Sequence, residues 1–405
     1  IGRAAIATPG AVAGMFAIHR DVCRLPMSRL LEPAIRAARE GVRVTPMQAY
    51  VLDVVNPIFL HGTRARNVFG SRQKTGATLQ AGETLVQPEQ ADTLEALARE
   101  GEALFYHGDL ARAIVDHCAG GGLLSQNDLH GYRVEVREPL ARQFRGARLL
   151  LNPPPSSGGT LIAMTLALLG DAGGRPVEPG ELAAAMAVTN RARNEFEQTG
   201  DALAALLADD TLANARREVT RHPLCSRGTT QLSIADGDGN LAAMTVSNGE
   251  GCGELVPGTG IMLNNMLGEE DINPNGFFGW PTNTRMTSMM APTVVECADG
   301  RAVLGSGGSN RLRTAILQVV LRLVADGMPL REAVQSPRLH LEKDCLHLEP
   351  GVWPDAGGAV HSTCTSAHQW PKPNLFFGGV HAVWQGADTL QAAGDPRRGG
   401  SAIIL

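Results

Sequence analysis

The sequence predicts an α+β layered fold, and three observations predict it. Segments with helical spacing dominate the first half, a glycine-rich hairpin block runs from Gly228 to Asn265, and strand-like runs return after it around one long amphipathic helix. A chain of 405 residues that is 43% apolar has ample material for one large or two ordinary cores. Its net charge of −5 comes from interspersed acids and bases, which points away from nucleic acid and from an anionic membrane surface. No apolar run approaches the ~20 residues of a membrane span. The seven cysteines are widely spaced, odd in number and without a C-x-x-C pair, so free thiols are the reading. His361, Cys364 and His368 lie close together but lack a fourth ligand, so no metal and no cofactor is read from them.

Taken in order, Ile1 to Arg24 reads as a strand broken by Thr8-Pro9-Gly10 and followed by a helix from Val12 to His19. Leu30, Leu31, Ile35 and Ala38 share one face of a helix that Gly41 can cap. Asp92 to Glu100 and Asp109 to His117 repeat that pattern, and a turn at Gly120 to Gly122 leads towards Val134 to Val136. Ala147 to Leu151 is a β-type run closed by prolines, and Leu161 to Leu169 opens a helix. Leu182 to Phe196 and Leu203 to Arg217 read as further helices, and Arg221 to Arg227 as an exposed loop where backbone is reachable. Beyond the hairpin block, Pro292 to Cys297 and Ala302 to Gly305 read as strands and Arg311 to Asp326 as a helix. Leu375 to Trp384 and Ala402 to Leu405 close the chain as strands.

Within the central block, Gln231 to Ala235 and Leu241 to Val246 flank Asp236 to Asn240, the signature of a hairpin with a glycine-bearing turn. Thr229 stands at its start. A β-branched residue there fits a plain strand start, and the surrounding motifs give it a second meaning. Thr229-Thr230, Leu232-Ser233, Asp238-Gly239-Asn240, Pro257 to Ile261 and Leu263-Asn264-Asn265 are followed by Arg285, Ser288, Pro292, Gly305 to Ser309 and Asp395 to Arg398. Upstream stand Thr8 to Gly14 and Pro153 to Gly159. In this order they resemble the γ-glutamyltransferases, also called glutathione hydrolases, which are N-terminal-nucleophile (Ntn) hydrolases.

The resemblance implies the four-layer αββα sandwich and self-cleavage between Gly228 and Thr229. The two products are a large-subunit part, 1–228, and a small subunit, 229–405, in one intertwined globular unit. A threonine hydroxyl is a poor nucleophile without a base, and a freed α-amine with a pKa near ~8 supplies one. Thr229 is then the nucleophile towards a small γ-glutamyl amide, and Gly307 and Gly308 match the pair whose N–H groups hold the oxyanion; from the residues alone they also read as an ordinary glycine turn. Ser247 matches a hydroxyl beside the nucleophile. Asn248 stands one residue before the expected glutamyl-binding asparagine, so that Gly249 holds the strict register. Glu269 matches an acid for the α-ammonium and Ser288 a serine for the α-carboxylate.

The departures are specific. Met266 replaces a glutamine or glutamate, Met289 replaces a second serine, and the loop from Glu270 to Thr284 is shorter than the family's lid. The family's α-carboxylate arginine belongs to a segment preceding anything matched here, which makes 1–228 an incomplete large-subunit part in this reading. Two alternatives stay open: an acylase for another amide, such as a cephalosporin side chain or polyglutamate, and an uncleaved binding homologue. Family habit places such proteins in the periplasm or outside the cell.

Overall fold

Apolar residues at helical spacing pack the first of two units, Ile1–Val136 with Ser247–Glu269; the second comprises Arg137–Val246 and Glu270–Leu405. Each takes residues from both sides of the Gly228–Thr229 bond. The structure is a computed structural model that describes residues 1–170, 174–196, 205–208, 229–273, 276–352 and 364–405.

In the first unit the helices Met27–Glu40 and Pro88–Glu100 pack together, and Arg39 reaches Asp92 at 2.6 Å and Glu95 at 2.7 Å. Gly41 ends the first of them at φ 94°, a left-handed value that glycine adopts without steric cost. Ile6, Phe105, Leu110, Ile114 and Leu129 form a core with Cys252, Val256 and Leu263 of the later segment. Tyr106 is buried there, which pushes its hydroxyl up to about 12. That hydroxyl donates to Pro9 O at 2.9 Å and accepts from Ala13 N at 3.2 Å, so it pins the Thr8 to Gly14 turn. The chain start, expected as a strand, forms a 3-10 turn at Arg3–Ala5. Short strands β1 (Val42–Arg43) and β2 (Thr84–Leu85) pair antiparallel.

The second unit is built on a six-stranded antiparallel sheet. Its strands are β3 (Leu140–Phe144), β4 (Ala147–Leu151), β7 (Thr293–Cys297), β8 (Gly300–Gly307), β12 (Gly379–Gly386) and β13 (Leu390–Ala393), in the order β13-β12-β8-β7-β4-β3. The hairpin β5 (Thr230–Ala235) and β6 (Leu241–Val246) forms its own two-stranded sheet. Asp236 sets its turn, accepting from Asp238 N at 3.0 Å and Asn240 N at 2.8 Å. A third sheet holds β9 (Leu339–Glu342), β10 (Cys345–Leu348) and β11 (Ser366–Gln369).

Alternation along β8 decides the layering. Ala302 and Leu304 join the core with Leu149, Val295, Val380 and Ala382 and with helices Ser157–Leu169 and Arg311–Val324. Gly305 and Gly307, on the other face, receive the hairpin. The order is therefore helices, six-stranded sheet, hairpin. Residues 402–405, expected as a strand, are exposed and outside any strand. The turn Pro396–Arg398, followed by Gly399 at φ 64°, leads the chain off the sheet, and β13 occupies the edge instead. Of the expected helix Leu203 to Arg217 only residues 205–208 are among the described residues, and the expected loop Arg221 to Arg227 lies outside them. Among the described residues no helix is long and apolar enough to cross a membrane.

Candidate active site

The hairpin's first residues lie across a bed of glycines. A Cβ on Gly305 would overlap the side-chain amide of Gln231, and one on Gly307 would overlap the backbone carbonyl of Thr229. Each glycine is thus there because something else occupies the space of a side chain. Between them Ser306 points into the helix-side core, where its hydroxyl donates to Gly307 O at 2.9 Å and accepts from Gly379 N at 3.0 Å. Gly308 follows at φ 127° and Ser309 at φ 52°, so the strand ends in a left-handed turn that passes into helix Arg311–Val324. The hairpin is also tied to β12, since Ser233 Oγ donates to His381 O at 2.8 Å. The structure therefore brings Thr229 and Gly307 together, with Gly308 next along the turn.

Arg398, which sequence reasoning matched only as part of a motif, completes this bed. Its guanidinium Nη2 lies 3.1 Å from where a Gly308 Cβ would sit, and its stem lies against Gly379. Burial, with repulsion from Arg311, pulls its pKa down to about 10 against the attraction of Asp395, which still leaves it charged at neutral pH. Its neighbours hold it there. Asp395 accepts from Val380 N at 3.0 Å and Arg397 N at 2.9 Å and pairs with Arg338 at 2.7 Å. Arg397 Nε and Nη2 reach the two oxygens of Glu349 at 2.7 and 2.5 Å. Burial would raise the Asp395 carboxyl, but Arg338 and Arg397 outweigh it and hold it below the usual carboxylate range. More than 80 residues separate this turn from Gly308 in the chain, so only the fold could reveal the contact.

Ser288 is positioned by the Pro153 to Gly159 motif. Its carbonyl accepts from Ser157 N at 2.9 Å, Gly158 N at 3.2 Å and Ser156 Oγ at 3.0 Å, while its hydroxyl accepts from Met290 N at 3.1 Å. Thr287 Oγ1 donates to Pro155 O at 2.8 Å, which closes the same clamp. Met289 turns the other way, into the apolar cluster of Leu161, Met164 and Leu312.

Ser247, Asn248 and Glu269 belong to the first unit, and Thr229, Ser288, Gly307 and Gly308 to the second. Ser247 Oγ accepts from Gly249 N at 3.1 Å, and Asn248 is exposed. Gly249, at φ 65°, is overlaid by Asn265 Oδ1 and Glu269 Oε1, so the buried Glu269 carboxylate faces the strict-register position. Asn265 explains the asparagine pair. It accepts from Glu250 N at 3.0 Å, while Asn264 exchanges hydrogen bonds with Ala7 at 3.0 and 2.8 Å.

Gly228 lies outside the described residues, as does His361. Of its sequence neighbours, Cys364 is buried in the second unit's core and His368 is exposed. Among the described residues no group of three or more His, Cys, Asp or Glu side chains could hold a metal ion.

The Gamma-glutamyltranspeptidase family model matches residues 1–405. The Acylase ACY 1 proenzyme of Pseudomonas sp. (strain SE83) is 30% identical over 431 residues, covering 100% of this chain and 76% of its own length. The glutathione hydrolase proenzyme of Escherichia coli (strain K12) is 30% identical over 434 residues, covering 96% of this chain and 73% of its own length. Among solved structures, a cephalosporin acylase from Bacillus halodurans superposes with a TM-score of 0.84 at 24% identity, over 99% of this chain and 78% of that one. That likeness gives the fold.

Proposed function

This chain belongs to the gamma-glutamyltranspeptidase family, and from that premise we propose that it is a self-processed amide hydrolase or acyltransferase with Thr229 as its nucleophile. The observation that carries the reading is the seating of the Thr229 carbonyl on Gly307, with Gly308 and the Arg398 guanidinium beside it. We assign the oxyanion to the Gly307 and Gly308 N–H groups, and the complete architecture to the αββα sandwich of Ntn hydrolases.

In this mechanism the Thr229 hydroxyl first attacks the Gly228 carbonyl. An N-to-O shift breaks the amide, frees the threonine amine and leaves an ester, and water hydrolyses that ester to free the Thr229 hydroxyl and the Gly228 carboxylate. That amine, with a pKa near ~8, takes the hydroxyl proton when Thr229 attacks a substrate amide. The oxyanion forms at the glycine pair, and the field of Arg398 adds to its stabilisation. The leaving amine takes the proton, and water or another amine resolves the acyl-threonine ester. The roles implied for Ser247, Asn248, Glu269 and Ser288 are part of this reading, with γ-glutamyl amides as the first substrate class.

A second reading is an acylase for acyl groups without an α-ammonium, such as a cephalosporin side chain. Two observations favour it: Met289 buries its side chain in the core, and the strict-register position is a glycine, Gly249, with Asn265 Oδ1 and Glu269 Oε1 over it. Intact mass tests processing: two fragments divided at Gly228–Thr229, lost in Thr229→Ala, support the nucleophile, and one uncleaved chain in both removes it. The ratio of kcat/KM for γ-glutamyl-p-nitroanilide to that for glutaryl-p-nitroanilide, which lacks only the α-amine, separates the two acyl classes.

A further inference from the structure

The turn that carries Gly307 and Gly308 is gripped by an acid outside the set read from the sequence. Asp271 is buried in the 3-10 turn Glu270–Ile272. One of its carboxylate oxygens accepts from Ser309 Oγ and the other from Asn310 Nδ2, the latter at 2.8 Å. Arg193, on helix Pro179–Phe196, closes the ring: Nη1 donates to Asn310 Oδ1 at 2.6 Å and Nη2 donates to the Asp271 carbonyl. The two residues held by the acid are the ones that follow the glycine pair directly.

Ser309 is a non-glycine residue at φ 52°, a left-handed conformation that an L-residue keeps only when its surroundings fix it. Its hydroxyl bond to Asp271 is its side-chain anchor, beside the backbone bonds from Arg311 N to Gly308 O and from Leu312 N to Ser309 O, both 3.0 Å. Releasing it frees Ser309 to relax towards negative φ, which turns the peptide link between Gly308 and Ser309 and, through it, loosens the backbone that carries the pair. Arg193 precedes the Gly228–Thr229 bond, while Asp271 and Asn310 follow it. In the self-cleaved protein the ring therefore joins the two products without a covalent bond.

We propose that Asp271, held by Arg193, is a positioning residue that sets the direction of the oxyanion-binding turn. This rests on reading Gly307 and Gly308 as the oxyanion pair, so the test has one arm that does not depend on that reading. In the first arm, hydrogen exchange is followed on the whole protein for a peptide covering residues 305–312. Asp271→Ala is expected to speed exchange there about tenfold or more, by release of a local constraint, with distant peptides unchanged. Asp271→Asn and Ser309→Ala give smaller increases and cover the case in which the alanine variant fails to fold.

In the second arm, turnover of γ-glutamyl-p-nitroanilide is measured per processed Thr229. Because oxyanion donors act mainly in the transition state, kcat is expected to fall about 10- to 100-fold with KM within about threefold. A merely structural role would lower melting temperature or processed fraction and leave kcat per processed site unchanged. Unchanged exchange in 305–312, or unchanged kcat per site where the wild type turns over, overturns the proposal. A wild type that cleaves neither anilide counts against the proposed function, and the exchange arm then decides the positioning role alone.

Discussion

The stretch around Gly307 and the stretch around Gly249 are both glycine-rich, yet they are held in different ways. Around Gly307 the neighbours are buried charges: Arg338, Asp395, Arg397 and Glu349 lock the turn that presents Arg398, and Asp271 with Arg193 locks the turn that follows. Around Gly249 two asparagines organise the backbone, Asn265 at Glu250 and Asn264 at Ala7, beside the buried carboxylates of Glu250 and Glu269. Buried ion pairs tolerate the loss of one partner badly, whereas a neutral hydrogen bond contributes about 0.5–1.5 kcal/mol. The first region therefore loses more on removal of one charged partner than the second loses with one asparagine hydrogen bond.

The largest effect is expected where the two chains of contact meet Thr229. Gly307→Ala places a methyl in the space of the Thr229 carbonyl, and that atom is backbone, which cannot swing aside. Processing and turnover are expected to fall by about 100-fold or more, the scale of losing one oxyanion donor, measured by intact mass over time and by initial rates. Near-normal rates would take Gly307 out of the chemistry.

Next comes Asp395→Ala, which leaves Arg338 and Arg397 buried without their shared acid. A loss of about 3–5 kcal/mol is expected in denaturant unfolding. The pH dependence has a definite sign. The carboxyl lies below its unfolded value, so its stabilisation is present above the ordinary carboxylate range and is lost as pH falls through the depressed folded value. Wild type should therefore lose stability below about pH 4, and the variant should lack that part of the acid slope.

Met289→Ser tests whether the departure at this position concerns substrate at all. The side chain lies among Leu161, Met164 and Leu312, so a serine leaves a cavity and a buried hydroxyl. The expectation is about 2–4 kcal/mol of lost stability with no gain in kcat/KM on γ-glutamyl-p-nitroanilide. A gain would mean that position 289 reaches the acyl group.

What could be read from the sequence follows the same division. The hairpin was legible because Asp236 to Asn240 is a turn with a local mechanism, and the β8 strand and its following helix because their periods differ. Thr229, Gly307 and Gly308 could be named from motif order, although only the structure gives the reason for the glycines. Arg398 and Asp271 could not be placed, since their contacts join residues tens of positions apart and no local pattern encodes them. Ala402 to Leu405 failed for a related reason. An apolar run reads as a strand until one knows that the edge beside it is already filled by Leu390–Ala393.

The smallest and most discriminating change is Gly249→Ala. Its φ of 65° makes alanine there cost about 1 kcal/mol, and the atoms in its way, Asn265 Oδ1 and Glu269 Oε1, are side-chain ends that can move. The fold should survive, with the Glu269 carboxylate displaced. If that carboxylate receives an α-ammonium, KM for γ-glutamyl-p-nitroanilide rises about tenfold while KM for glutaryl-p-nitroanilide stays level, because only the first carries the charge that Glu269 would meet. A parallel rise for both substrates would place the disturbance in the shared part of the acyl chain. No change for either would take Glu269 out of acyl recognition and leave the Gly249 stretch as architecture alone.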